Sequence, residues 1–461
     1  MDRFRSLNGM QKMMLRWETF QPLNAAHIVE LSQSFSTAEI ERAIRRATRS
    51  LALRPVEFSK DLTQSRYADV AYAVNGDFPP LRTRHLGATT RESLEQAINE
   101  ELNCSFGSSV HWPWRFVQLE IAGFGSCLVL VYHHALTDAR GALLVMREVV
   151  RALYGGSLTT GELQTNPPTL QELFPREMGW RGIPSRVCGA VRELAESLSC
   201  FRVAPRESGP ESIVSNFHAI DLSTSQVKQS ARSQGGTVQD LLFAGLFEGL
   251  QLLFRDKLDA SSRKSLAVRA MIDLRREAPQ DVGLALSQIL GCIMVRLQVD
   301  ARTPFSEIVA RVNTLTREAK DAKAYRVYAS QLDLMSKIWD LAAEWMNRSF
   351  TPRMFPTVGM ISNMNLSEFL AAEFAAGHVR NYLRATGSGL LCPLILSVTS
   401  VGPMMNVVTT HHGNKFTAAE ILALGNHLQA RMTGIAGDST APQVTSELLP
   451  APQISRLRTA A

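Results

Sequence analysis

The sequence lacks long hydrophobic runs and paired cysteine motifs. Its apolar stretches stay well below the roughly 20 residues that a membrane-spanning helix needs, so no membrane span is predicted. Residues 1–5 lead into no signal-type apolar segment, and a cytoplasmic location is expected. The six cysteines are scattered, with no C-x-x-C pair and no histidine at zinc-finger spacing. This pattern indicates free thiols and no disulfide or metal framework.

A strong excess of one charge is also missing. The 49 basic and 43 acidic residues leave a formal net charge of +6, and the basic residues are spread along the chain. No basic run is interleaved with aromatic residues, so no nucleic-acid partner is predicted. The mild positive charge suits an anionic partner, such as coenzyme A or an acidic carrier protein. An ordinary solvated surface with slightly more arginine than glutamate accounts for it equally well.

The composition is that of a soluble globular protein, with 45% hydrophobic and 20% charged residues. A length of 461 residues is too great for one ordinary core. Prolines cluster between the two halves, at positions 167, 168, 175, 184, 205 and 210. We therefore predict an N-terminal lobe at 1–165, a connector at 166–210, a C-terminal lobe at 211–436 and a flexible tail at 437–461.

Both predicted lobes mix strands and helices, so an α+β class (an α/β sandwich) is expected. Ser36 and Glu39 have the spacing of a capping box at the start of an amphipathic helix. Residues 127–132, C-L-V-L-V-Y, are apolar throughout, as in a strand covered on both faces. A helix is predicted from about residue 139 to 154, and residues 304–330 are predicted to be charged and helical.

The most informative segment is the pattern H-H-x-x-x-D that follows this apolar strand. It consists of His133, His134 and Asp138. Neighbouring residues of a strand point to opposite sides, so only one of the histidines can face a given cleft. Imidazole can take and return a proton near neutral pH. Asp138 falls before the next helix, where it can cap that helix or pair with an arginine. The pattern favours one working histidine, one supporting histidine and a structural aspartate.

By spacing alone, the histidine pair has more than one interpretation. Two histidines satisfied inside a core fit equally well. A metal site is less favoured, because adjacent histidines diverge and Asp138 makes a poor third ligand. There is no G-x-S-x-G elbow and no P-loop, and Gly387-Ser388-Gly389 precedes a strand instead of a helix. A second pair, His411-His412, is interpreted as a structural hairpin turn.

These residues resemble the condensation-domain superfamily, whose pattern H-H-x-x-x-D-G ends a strand near residue 130 of a chain of about 450. Here H-H-A-L-T-D-A occupies 133–139. The D-F-G-W-G motif of the plant-type acyltransferase branch is absent. Further segments resemble family steps in the family's order: 21–27 (Q-P-L-N-A-A-H), 235–241 (G-G-T-V-Q-D-L), 272–275 (I-D-L-R) and 362–363 (S-N).

The resemblance implies a fold and a role for each site residue. Two lobes, each like a chloramphenicol acetyltransferase subunit, would form a V with a central tunnel. His134 would be the catalytic base and His133 its neighbour. Asp138 would be structural, held by an arginine from the other lobe, for which Arg275 is the candidate. Asn363 would line the tunnel where the lobes cross over.

One position departs from the family pattern. Ala139 stands where the family has glycine, and the next glycine is Gly141. If the family's glycine lets the backbone approach the acyl carbonyl, the methyl group of Ala139 narrows the site or weakens an oxyanion contact.

The function implied is transfer of an acyl group from a thioester to a small-molecule alcohol or amine, forming an ester or an amide. The donor would be carried by coenzyme A or by the phosphopantetheine of an acyl carrier protein, with no bound cofactor or metal. A monomer is expected. Two alternatives stay open: a catalytically silent protein that binds a carrier protein or acyl chain, favoured by Ala139, and an epimerase-type member.

Overall fold

The computed structural model describes most of the predicted lobes. The described residues are 4–67, 78–86, 91–106, 111–121, 125–159, 170–174, 183–206, 212–278, 282, 285–339, 341, 346, 357–388 and 392–434. The tail predicted at 437–461 and parts of the connector predicted at 166–210 lie outside these ranges, and the lobe boundaries stay a prediction.

Within these ranges fourteen strands form three sheets. A five-stranded sheet has the order β12 (Val379–Thr386), β2 (Asn24–Leu31), β7 (Gly125–His133), β6 (Trp114–Ile121), β5 (Leu81–Leu86). A six-stranded sheet has the order β10 (Leu290–Leu297), β9 (Leu266–Asp273), β11 (Gly359–Asn365), β13 (Leu394–Val401), β14 (Met404–His412), β8 (Ile213–Ser223). A small sheet has the order β1 (Arg5–Ser6), β4 (Gln64–Tyr67), β3 (Val56–Phe58).

Helices cover these sheets. In chain order the described helices are α1 (Gly9–Glu18), α2 (Thr37–Ser50), α3 (Arg91–Leu102), α4 (Ala139–Leu153), α5 (Leu170–Leu173), α6 (Ile183–Leu198), α7 (Thr224–Ser233), α8 (Val238–Leu253), α9 (Arg255–Ala260), α10 (Phe305–Asp321), α11 (Ala324–Trp339), α12 (Ala371–Ala375) and α13 (Ala418–Thr433). The predicted capping box opens α2, where Ser36 and Glu39 bond reciprocally.

The helical segment predicted over 304–330 is confirmed, and it consists of two helices. Helix α10 ends at Asp321 and α11 starts at Ala324. Lys323 between them has a φ of 49°, a left-handed conformation that interrupts a right-handed helix. The charged pattern runs across the break, so it gave no signal of where the chain turns.

Strand β7 shows why the five-stranded sheet is covered on both faces. Leu128, Leu130 and Tyr132 pack with α2 and α4 on one face. Val129 and Val131 pack with α3 on the other face. All of these side chains are buried. A strand with two apolar faces needs no polar alternation, so the prediction from its continuous apolar sequence is confirmed.

Strand β12 comes from the second half of the chain but pairs with β2 in the five-stranded sheet. Its Arg384 is fully buried and donates to the carbonyl oxygens of Ser362 at 2.8 Å and Val398 at 2.7 Å. It also donates to the hydroxyl of Thr399 at 3.1 Å. These acceptors belong to β11 and β13, so one guanidinium joins the two large sheets. Burial lowers the pKa of Arg384 to about 10, against the opposing effect of Tyr132 and Tyr382.

The two large sheets each contain a strand–turn–helix unit of the same design. In the first, β7 leads through a turn into α4; in the second, β14 leads into α13. The amide of His133 donates to the carbonyl of Pro113 at 3.0 Å, and the amide of His412 donates to that of Pro393 at 2.9 Å. His412 therefore corresponds to His133. The hairpin turn predicted at 411–412 is wrong, since both residues end strand β14 and a helix follows.

Candidate active site

The end of strand β7 fixes the backbone of the histidine pair. His133 is the last residue of the strand, and the amide of His134 donates to the carbonyl of Leu23, next to β2, at 3.2 Å. The amide of Leu136 then donates back to the carbonyl of His133 at 3.0 Å and closes a tight turn. His134 is thus the first residue beyond the carboxyl end of a central strand.

The ring of His134 faces a cavity between the two large sheets. Its Nδ1 atom lies 3.2 Å from the carbonyl oxygen of Thr137. A carbonyl oxygen only accepts, and this one is closer to Nδ1 than the amide nitrogen of Gln288, which lies 3.4 Å away. The geometry therefore favours the tautomer with the hydrogen on Nδ1 and the lone pair on Nε2. Burial lowers the pKa of His134, and this outweighs the opposing effects of Thr137 and Asp138. The imidazole is therefore neutral at neutral pH, with its basic nitrogen opposite the fixed Nδ1.

Gln288 holds this turn from the other half of the chain, and the sequence analysis missed it. Its side-chain amide donates to the carbonyl of Thr137 at 2.8 Å and to the carbonyl of His134. Because both partners are carbonyls, the amide nitrogen must point towards them. The Asn8 side chain donates to the backbone carbonyl of Gln288 at 3.0 Å. Gln288 is fully buried, and a lone glutamine before an apolar strand gives no signal of such a role.

His133 points to the opposite side of the strand, as the alternation requires. Its Nε2 lies 3.0 Å from a carboxylate oxygen of Glu18, and its ring packs at 5.9 Å from His111 and 5.7 Å from Phe106. Burial raises the pKa of Glu18, but the charge and hydrogen bond of His133 outweigh this and leave it lowered. His133 therefore anchors the end of α1 and does not reach the cavity lining.

Asp138 is the N-cap of α4. Its Oδ1 accepts from the amides of Arg140 and Gly141, both at 3.1 Å. Its Oδ2 accepts from the amide of Ile289 at 3.2 Å. The carboxylate is 1% exposed, and these bonds occupy its oxygens. Its position fits a structural role better than proton transfer.

Arg275, the residue expected to hold Asp138, follows β9 in the six-stranded sheet. Its two terminal nitrogens lie 2.7 Å and 3.1 Å from the two oxygens of Asp138. It also donates to the carbonyls of Ala285 at 3.2 Å and Ser287 at 3.3 Å. Burial would lower the pKa of Arg275, but Asp138 and Asp273 outweigh it and raise that pKa. A buried, bidentate ion pair thus crosses between the two sheets beside His134.

The cavity has a volume of about 170 Å³, and both halves of the chain line it. Ala139, the first residue of α4, lies in its wall, and so does Asn363 of β11. Gly141 does not. A Cβ atom on Gly141 would overlap the hydroxyl oxygen of Thr137, so a larger residue there requires the Thr137 side chain to move. The predicted site residues His134, Asp138, Ala139, Arg275 and Asn363 all meet at this cavity.

The second strand–turn–helix unit shows what distinguishes the first. The amide of Gly413 donates to the carbonyl of Ser212 at 2.9 Å, as His134 donates to Leu23. Gly413 therefore stands where the first unit has its imidazole. Thr417 caps α13 with help from Glu420, where the first unit has Asp138. The second unit keeps the backbone design and lacks the basic side chain.

Metal-binding clusters and membrane-spanning helices are both lacking in the part of the chain that the structure describes. No group of three or more histidine, cysteine, aspartate or glutamate side chains with metal-binding geometry occurs among the described residues. Of the helices in the same ranges, none combines the length and apolar character that crossing a bilayer requires.

No protein-family model matches the chain, and no curated protein matches it by sequence. Solved structures do match over nearly the whole length. The first condensation domain of the calcium-dependent antibiotic synthetase, solved with a substrate analogue, has a TM-score of 0.67 at 12% identity, covering 95% of this chain and 98% of its own.

Two further structures show how widely this fold is used. A mutant starter condensation domain of rhizomide synthetase, solved with C8-CoA and Leu-SNAC, has a TM-score of 0.60 at 14% identity, covering 95% of this chain and 96% of its own. The epimerization domain from the third module of tyrocidine synthetase B has a TM-score of 0.60 at 9% identity, covering 94% and 96%. The chain therefore has the condensation-domain fold, and the predicted fold class is confirmed.

Proposed function

We propose that this chain is a condensation-type acyltransferase that moves an acyl group from a thioester to a hydroxyl or an amine. The observation that carries the proposal is a neutral imidazole at the wall of a cavity between two sheets. The hydrogen on Nδ1 of His134 is directed to Thr137, which leaves Nε2 as the base. No resident metal or cofactor is part of the proposal.

In the proposed reaction Nε2 of His134 accepts the proton of the acceptor as its oxygen or nitrogen attacks the thioester carbonyl. A tetrahedral intermediate forms, the carbon–sulfur bond breaks, and the thiolate takes the proton from the imidazolium. The products are an ester or amide and a free thiol. A positioned general base contributes roughly 10²–10⁴-fold to such a step. A hydroxyl needs this help more than a free amine does, which favours ester formation.

The donor is proposed to arrive on coenzyme A or on the phosphopantetheine of a carrier protein, with the chain acting as a monomer. A rhizomide synthetase domain of the same fold has been solved with C8-CoA. Asp138 and Arg275 are given a structural role, because they form an ion pair with each other and hydrogen bonds with neighbouring backbone groups. Asn363 is assigned to the substrate-facing wall.

The test is release of thiol from acyl-CoA or acyl-pantetheine thioesters, with and without alcohol or amine acceptors. Wild type should show acceptor-dependent release, and His134→Ala should abolish it. The matched control is His85→Ala, whose side chain is 78% exposed and is not part of the cavity lining. This control should keep the wild-type rate. Equal release by wild type and His134→Ala would refute the proposal.

The second candidate is a catalytically silent protein that binds a carrier protein or an acyl chain. It is favoured by Ala139, whose methyl group lies in the cavity wall where the family pattern has glycine. Binding of the thioester without acceptor-dependent release would support it. An epimerase-type activity is tested in the same samples, since it exchanges hydrogen at the α-carbon of an aminoacyl thioester without releasing thiol.

A further inference from the structure

The walls of the cavity around His134 are unusually rich in methionine. Five methionines line it, from α1, β9 and β11: Met10, Met14, Met271, Met360 and Met364. Methionine is flexible and polarisable and packs against irregular apolar groups. Such a wall suits a flexible hydrocarbon chain better than a rigid polar ligand.

Helix and strand periods determine how these side chains reach one chamber. On α1, Met10, Met14 and Trp17 are spaced by four and three residues, which is one helical face. On β9, Met271 lies between Arg269 and Asp273, and all three alternate positions face the cavity. Helix α1 and strand β9 therefore each present one continuous face to the chamber, and Met360 and Met364 of β11 complete its methionine lining.

The acidic groups on this wall are already paired. Asp138 is held by Arg275, and Asp273 lies 2.9 Å from Arg140. An aminoacyl donor carries a cationic ammonium that requires a carboxylate partner when it is buried. Among the described residues that line the cavity, both carboxylates are committed to arginines. The chamber is therefore suited to an uncharged chain.

The length of β9 sets the depth of the chamber. Asp273 lies at the end near Arg275 and His134, and Arg269 lies four residues further along the strand. At the far end Arg269 donates to the hydroxyl of Tyr328 at 2.6 Å. Four strand residues span about 13 Å. An extended polypeptide advances about 1.2 Å for each of the three backbone bonds in a residue. At the same advance per bond, a hydrocarbon chain of about ten bonds fits along this stretch of the chamber.

We propose that this methionine chamber binds the hydrocarbon part of the donor, and that the donor is a medium-length, straight-chain fatty acyl thioester of about eight to ten carbons. The inference rests on the proposed function, since it assigns the acyl group to the site where His134 acts. Met271, in the middle of the β9 wall, sets the accessible length. Each buried methylene should tighten binding about fourfold, which corresponds to about 0.8 kcal/mol.

The experiment measures binding of straight-chain S-acyl-pantetheine thioesters from two to sixteen carbons to the His134→Ala protein by calorimetry, so that turnover does not interfere. Affinity should rise about fourfold per methylene and level off near ten carbons. Met271→Trp in the same background should move the limit to shorter chains by several carbons. The matched control is Met404→Trp, at an exposed position that is 36% accessible and outside the cavity lining.

Equal affinity for two-carbon and eight-carbon thioesters would overturn the proposal, and so would tighter binding of an aminoacyl thioester. An unchanged length limit in a folded Met271→Trp protein would do the same. Chain-length-dependent binding without any transfer by wild type would leave this inference standing and refute the proposed function. Transfer by wild type, with binding that does not depend on chain length, would support the proposed function and refute this inference.

Discussion

Replacing Asp138 by asparagine tests the ion pair beside the site without removing the helix cap. Asparagine caps a helix about as well as aspartate, so the bonds from Arg140 and Gly141 can persist. What changes is the charge opposite Arg275, and the atom that meets the amide of Ile289. The substitution therefore keeps the helix cap and removes the negative charge together with one hydrogen-bond acceptor.

The size of the effect follows from the surroundings of Arg275. The side chain of Arg275 is 3% exposed, and breaking a buried ion pair typically costs about 3–5 kcal/mol. Asp273 lies 3.3 Å away and compensates in part, so the lower end of that range applies. An asparagine NH₂ group in place of Oδ2 would face two donors, which costs a further 1–3 kcal/mol or so. We expect a total destabilisation of about 4 kcal/mol.

The measurement is the melting temperature by calorimetry or circular dichroism. For a unit of the size predicted for each lobe, 1 kcal/mol corresponds to roughly 2–4 °C, so Asp138→Asn should melt about 10 °C lower. Asp138→Ala loses the cap, at about 1 kcal/mol, but has no NH₂ group facing the two donors, so it should melt close to Asp138→Asn. The control is Asp259→Asn, at an exposed position of α9, which should melt near wild type. Arg275→Met combined with Asp138→Asn should recover part of the loss, because no buried charge is then left unpaired.

Two results would refute this reasoning. If Asp138→Asn melted within about 2 °C of wild type, the pair would not hold the two sheets together. If the double variant were no more stable than the sum of the single changes, the loss would come from packing and not from an unpaired charge.

Three further outcomes are expected. Since burial lowers the pKa of His134, its neutral form persists below pH 6.5, and kcat/KM should fall only at more acidic pH; a midpoint at or above 6.5 contradicts this. Gln288→Leu should lower kcat about 10–100-fold and shift the pH profile, with KM little changed, because the turn that carries His134 loses its hydrogen bonds to Gln288. A normal kcat with an unchanged pH profile would show that Gln288 does not position His134. Gly141→Ala should cost about 1–3 kcal/mol, and Thr137→Ala should relieve it, as unfolding in urea would show.

The elements around the site were predictable because their signals are local. The apolar run of β7 predicts a strand covered on both faces, and the oxygen of Asp138 lies where a helix cap is needed. The resemblance to condensation domains supplied Arg275 as the partner of Asp138, and it lies against that carboxylate. Each of these depends on a short segment or on a motif.

Other features depend on contacts between distant segments. Strand β12, with Arg380 and Arg384 among its residues, does not look like a strand beside a core, and no strand was predicted there. Arg384 can be buried only because oxygen atoms of β11 and β13 accept its hydrogen bonds. The role of Gln288 could not be predicted from the sequence either, because its partners lie about 150 residues earlier in the chain.

Two adjacent histidines at the end of an apolar strand are evident from the sequence, and they must face opposite ways because side chains alternate along an extended backbone. The side on which a cavity lies depends on how distant segments pack. The packing of α1 places Glu18 against His133, and the approach of β9 and β11 opens the chamber in front of His134. Alternation is a property of each residue's own backbone, whereas a cavity exists only where two distant surfaces fail to close.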